Sequence, residues 1–112
     1  MKVTGNSRPF GSLTRTRVLL ALHLLGESYA RELARLLDLS LSGVQRALQS
    51  FERDGMVAAR AAGRTRLYQL DPRAFARREL ERYLDRLLEA ETELRERGAR
   101  LRRRPRRTGK PL

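Results

Sequence analysis

Between Leu41 and Arg53 the chain places Ser42, Gly43, Gln45, Arg46, Gln49 and Arg53 on the outward side of a helical period. Leu41, Val44, Leu48 and Phe51 recur on the other side at three- and four-residue spacings. The outward set suits hydrogen bonding to base edges. A guanidinium can donate twice to O6 and N7 of guanine, and a glutamine amide can pair similarly with adenine. Ser42 and Gly43 add little bulk at the helix start, where backbone N–H groups favour phosphate. The bland alternative is a solvated helix face. Against it, Leu41 to Ser50 contains neither Glu nor Lys, the residues such faces usually use.

A face of this kind works only if other elements hold it. Ala30 to Leu37 reads as a preceding helix with Leu33, Ala34 and Leu37 inward, and Asp38-Leu39-Ser40 as the turn between the two. Three positions decide whether such helices can cross closely. Ala34 is small enough to allow approach. Val44 is the buried branched residue that locks the second helix. Asp38 stands where the turn needs a left-handed residue, normally Gly, and Asp tolerates that geometry better than most residues. Gly55 supplies the stop after a third helix running from about Leu41 to Asp54.

Met56 to Ala61 and Thr65 to Leu70 alternate loosely around an Ala62-Gly63-Arg64 turn, predicting a hairpin. It carries Arg60, Arg64 and Arg66, which with Arg53 form a second candidate set, suited to phosphates or a narrow minor groove. Tyr68 and Leu70 read as packing residues. Upstream, Ser12 or Thr14 can cap a first helix that ends at Gly26, apolar on most of its circumference. Such a helix belongs at the centre of the core or between subunits. Glu27-Ser28-Tyr29 is a short link with the makings of a brief strand.

These segments resemble the winged helix-turn-helix transcriptional regulators of the ArsR and MarR type. RELARLLDLSLSGVQRALQSFERDGMV matches the paired helices, GRTRLYQL the wing, and SLTRTRVLLALHLLG the opening helix of the ArsR group. The resemblance spans about Leu13 to Leu70. It implies a homodimer on a two-fold related site in double-stranded DNA, with the third helix in the major groove. It assigns base contacts to Ser42, Gly43, Gln45 and Arg46, with Gln49 at the edge. Metal sensing of the ArsR kind is not inherited, because the chain has no Cys and one His. That residue, His23, sits in an apolar helix and reads as structural, since a metal site needs three or four donors.

Beyond Asp71-Pro72 a fourth helix is expected to about Arg97, with Gly98 weakening it. Leu80, Leu87, Leu94 and Leu101 recur every seven residues, and Leu84 occupies the complementary position. Glu91 and Gly98 spoil that second position later, which argues against a long zipper. The expected interface is a short antiparallel or splayed pair using Leu80, Leu84, Leu87 and Leu94. The alternative is a helix packed only on its own domain. Residues 98–112 carry seven basic side chains and no acidic one. Arg102, Arg103, Arg104, Arg106 and Arg107 form a basic tail that could track phosphate, enter a minor groove or solubilise the end. Phosphate binding is the favoured reading of the three.

Composition bounds the rest. A chain of 112 residues suits one domain with a modest core. The net charge of +12 points to a polyanionic partner. No apolar run is long enough to span a bilayer, and no signal-peptide pattern opens the chain, so a cytoplasmic address is expected. There is no Gly-rich phosphate loop, nucleophile–base pairing or ligand cluster. No enzyme, catalytic residue, metal or cofactor is therefore expected.

The expected fold is mainly α with a small β-hairpin (α+β), a winged helix-turn-helix with a C-terminal dimerisation helix. The expected layout is an arm over residues 1–11, the winged domain over 12–71, the dimerisation helix over 72–101 and a disordered basic tail over 102–112. The leading function is a sequence-specific, dimeric DNA-binding transcriptional regulator, a repressor, whose effector the sequence leaves unknown. Two rivals share its motifs: a DNA-binding module of a replication, partition or mobile-element system, and an antitoxin-like protein-interaction winged helix.

Overall fold

The first helix forms the centre of the molecule. In the computed structural model, which describes residues 9–103, α1 (Leu13–Leu25) carries five consecutive residues, Val18 to Leu22, with no solvent exposure. A run of that length covers every side of a helix, so α1 must be surrounded. The neighbours that surround it come from this same chain: α2 (Ala30–Leu37), α3 (Leu41–Arg53), α4 (Arg77–Leu88), α5 (Thr92–Arg103) and the sheet. Ser12 is its N-cap, its Oγ accepting the Arg15 N–H at 3.1 Å. Gly26, at φ +85°, closes its C-terminus.

The sheet has three antiparallel strands in the order β1-β3-β2. Here β1 is Ser28–Tyr29, β2 is Val57–Ala62 and β3 is Thr65–Leu70. The link after α1 therefore does pair, Ser28 opposite Tyr68 and Tyr29 opposite Leu67. The hairpin closes on two residues, Gly63 and Arg64, with Ala62 opposite Thr65. Gly63 takes φ +64° at the first central position, where a two-residue hairpin turn favours Gly. Tyr68 and Leu70 face the core, while Leu67 is buried on the alternate face of the strand.

The C-terminal part departs from expectation. A single helix from Pro72 to about Arg97 is not what forms. The Asp71 carboxylate accepts the Arg73 N–H at 2.9 Å, a local turn that competes with helix, and Ala76 adopts φ +57° before α4 begins at Arg77. A second break falls at Glu89–Glu91, where the Ala90 and Glu91 N–H groups bond carbonyls three residues back. The break has a packing reason. On one straight helix Leu88 and Leu94 would point about 120° apart at 3.6 residues per turn. Interrupting the helix lets Leu84, Leu88 and Leu94 all reach the core, where they are 0%, 6% and 1% exposed.

Gly98 lies inside α5, which continues through it. A β-carbon there would come 2.7 Å from Leu24 Cδ2, so the missing side chain is what lets α5 lie against α1.

Candidate nucleic-acid interface

The turn that aims α3 is built as its residue types require. Asp38 ends α2 in the left-handed region, φ 59° and ψ 47°, and both its own N–H and that of Leu39 bond the Ala34 carbonyl. Ala34 is thus the small residue at the crossing and the acceptor that closes the turn. Val44 is fully buried, as its locking position demands. Ser40 caps α3, its Oγ accepting the Gly43 N–H at 3.1 Å.

That cap corrects the expectation for Gly43. Its N–H is spent on Ser40, not offered to phosphate. A β-carbon at position 43 would lie 2.9 Å from Ser40 Oγ, so Gly43 makes room for the cap. The N–H groups of Leu41 and Ser42, in the first turn, have no intrahelical acceptor.

Behind this surface α3 is anchored by Val44, Ala47, Leu48 and Phe51. Its C-terminal end is held by a residue that no sequence motif marks. Arg15 of α1 donates from Nε to the Phe10 carbonyl at 2.7 Å and from Nη1 to Ser50 Oγ at 2.6 Å. Its guanidinium lies 4.3 Å from the centre of the Phe51 ring, with Asp54 at 3.9 Å. Ser42, Gln45, Arg46 and Gln49 are exposed on the opposite face. Among the described residues, Gln45, Arg46 and Gln49 make no side-chain hydrogen bond or ion pair, and neither does Arg53.

The hairpin arginines divide. Arg64, at the tip, is exposed and makes no ion pair among the described residues. Arg60 instead bonds Glu27 with two nitrogens, at 3.1 and 3.2 Å. Arg66 bonds Glu52 of α3 at 2.8 Å. That hydrogen bond, reinforced by the carboxylate's charge, raises the pKa of Arg66 further above its already high ordinary value. These two arginines brace the hairpin against β1 and α3.

The C-terminal residues are rearranged more strongly. Arg102 donates to Glu32 Oε2 at 3.3 Å and to the Glu27 carbonyl. Glu32 is itself buried and accepts from Ser28 Oγ at 2.6 Å. Arg102 is therefore a tie between α5 and the α2 region, not part of a free tail. Arg97 is a second tie, donating to the Leu36 carbonyl at 2.9 Å. Arg103 closes α5, while Arg104, Arg106 and Arg107 lie outside the described residues, as do residues 1–8 of the arm. Of the four expected interface leucines, Leu84 and Leu94 are spent in the core of their own chain. Leu80 and Leu87 are half-buried, and Phe75 and Tyr83 beside them are 98% and 44% exposed. His23 bonds Asp85 of α4 at 2.7 Å. No described helix is long and apolar enough to cross a membrane.

No protein-family model matches this sequence, and no curated protein does. Solved structures do. A mutant of Lactococcus lactis ZitR in apo form is similar with a TM-score of 0.53 at 22% identity, over 72% of this chain and 64% of that one. A second structure of the same mutant gives 0.54 at 22%, over 74% and 59%. The chain thus matches less than two thirds of the length of ZitR. At that identity the likeness concerns architecture, and it agrees with the element order described above: the chain has a winged helix-turn-helix fold of five helices and a three-stranded antiparallel sheet.

Proposed function

We propose that this protein is a dimeric, sequence-specific DNA-binding transcriptional regulator of the ArsR/MarR type, acting as a repressor by occupying its site. One observation carries the reading. Gln45, Arg46 and Gln49 stand exposed, and unpaired among the described residues, on a helix whose start is capped, whose inner face is buried and whose far end is clamped by Arg15. Unpaired donors on so firmly held a helix suit a major groove. Arg53 and Arg64, also unpaired there, flank the helix as phosphate contacts. Arg60 and Arg66 keep the wing in place through Glu27 and Glu52. The reading is one of binding, not catalysis.

In this reading the dimer forms through what α4 leaves at the surface. Leu80, Tyr83 and Leu87 share one side of that helix at three- and four-residue spacings, and Phe10 packs on Tyr83 with ring centres 5.9 Å apart. Size-exclusion chromatography with light scattering should give a dimer, and a monomer at micromolar concentration refutes this part.

The central test is Arg46→Ala. Against a site found by genome-wide mapping, it should lower specific affinity roughly 5- to 150-fold, about 1–3 kcal/mol for one base pair no longer read, and relax preference at that pair. Arg64→Ala should weaken specific and nonspecific binding alike. Unchanged specific binding by Arg46→Ala would favour a protein-interaction role for the fold.

A further inference from the structure

A cleft of about 820 Å³ opens between α2 and α5, lined by Glu32, Arg35, Leu36, Asp38, Arg97, Arg100 and Leu101. Its size falls within the range of roughly 300–1,000 Å³ typical of small-molecule sites. Charge pairing reduces the lining to a few free groups. Glu32 is engaged by Ser28 and Arg102. Arg97 is engaged by Glu93 at 3.1 Å and by the Leu36 carbonyl.

Arg35, by contrast, has only a long contact of 3.4 Å to the Tyr29 hydroxyl. Among the described residues, Arg100 and Asp38 make no side-chain hydrogen bond or ion pair. Two guanidinium groups and one carboxylate thus remain, a local excess of one positive charge. The apolar part of the lining is Leu36, largely buried, and Leu101.

We infer that this cleft is a binding site for a small organic monoanion with an apolar body. Arg35 and Arg100 take its acidic group, because a guanidinium offers paired donors to a carboxylate or sulfonate. Leu36 and Leu101 cover the apolar body. Asp38 accepts from a hydroxyl or amine where the ligand carries one. The apolar wall separates this site from one for bare phosphate, which would gain nothing from two leucines. Asp38 is also the left-handed residue of the turn before α3, so the occupant sits against the joint that sets the direction of α3. The inference does not rest on DNA binding, and its test uses none.

The full chain is titrated with 8-anilinonaphthalene-1-sulfonate, an anion whose fluorescence rises in apolar surroundings. Saturable binding of one probe per chain is expected. Arg35→Ala combined with Arg100→Ala should weaken it at least tenfold. Both side chains are exposed, so circular dichroism should be unchanged, and the corresponding double Lys variant should recover part of the loss. In competition, 4-phenylbutyrate should displace the probe, whereas 4-phenylbutanol and inorganic phosphate should not. The proposal is overturned by absence of saturable binding or by equal binding to the double Ala variant, which would place the probe elsewhere. It is equally overturned if phenylbutanol displaces as well as phenylbutyrate, or if phosphate alone suffices.

Discussion

The α2–α3 pair and the α4–α5 pair are both short two-helix units rich in leucine and arginine, yet their arginines serve opposite ends. On α3, Arg46 and Arg53 point outward and make no ion pair among the described residues. On α5, Arg97 and Arg102 turn inward to a carbonyl of α2, a carbonyl before β1 and the buried Glu32. The wing repeats the contrast within a few residues, with Arg64 free of ion pairs among the described residues and Arg60 and Arg66 paired. A basic residue is available to a polyanion only when no carboxylate or carbonyl of its own chain lies within reach. Arginine makes this contrast sharp, because its forked donors can satisfy two acceptors at once.

The contrast can be broken most forcefully at the leucines. Leu84→Ala should cost about 2–5 kcal/mol of stability, as for a fully buried leucine, seen as a lowered midpoint in urea. Leu87→Ala, half-buried beside it, should cost much less stability and, under the proposed dimer, act instead on self-association. Equal effects would mean that α4 does not divide between core and surface as described.

The arginine ties come next. Arg102→Ala removes a charged donor from the buried Glu32 and another from the Glu27 carbonyl, and should destabilise the fold by about 1–3 kcal/mol. Removing residues 104–112, which leaves Arg102 in place, should barely move the urea midpoint. Under the proposed DNA binding, it should still flatten the salt dependence, by about 0.9 log units per log unit of salt for each phosphate that is no longer neutralised. If the truncation destabilises as much as Arg102→Ala, the basic end is part of the fold and not a separate charged tail.

The smallest effect belongs to Asp38. Asp38→Gly should be neutral or stabilising by under about 1 kcal/mol, whereas Asp38→Ala should lose about 1 kcal/mol, since an alanine strains in the left-handed region. Thermal denaturation resolves the pair, and an identical cost for both would mean that the Asp38 side chain, not its backbone, maintains the turn.

Much of the fold was legible in the amino-acid sequence. Period and punctuation located α1, α2, α3 and the hairpin to within a residue or so. Gly26, Asp38, Gly55 and Gly63 mark their ends through backbone geometry that is local to each residue. The outer face of α3 was legible for the same reason, because the helical period alone separates Gln45, Arg46 and Gln49 from Val44, Leu48 and Phe51. The expectation failed beyond Asp71. A heptad of leucines says that a stripe exists, but not whether it faces a partner or α1. The signal for the break at Glu89–Glu91 was present in the poor match of Leu88 and Leu94 to a single helical face. Only the position of α1 gives that mismatch meaning.

Local residue pattern sufficed for α1, α2, α3 and the hairpin, for the left-handed turns at Gly26, Asp38, Gly55 and Gly63, and for the side of α3 that carries hydrogen-bonding groups. These follow from interactions within a few residues along the chain. Only the packing of distant segments decided that Leu84 and Leu94 belong to the core and that Gly98 admits α1. It also decided that Arg15, Arg60, Arg66, Arg97 and Arg102 fasten the molecule while Arg46, Arg53 and Arg64 take no part in that fastening. Each of those outcomes depends on which groups from distant parts of the chain arrive within hydrogen-bonding or packing distance, and residue spacing carries no record of that.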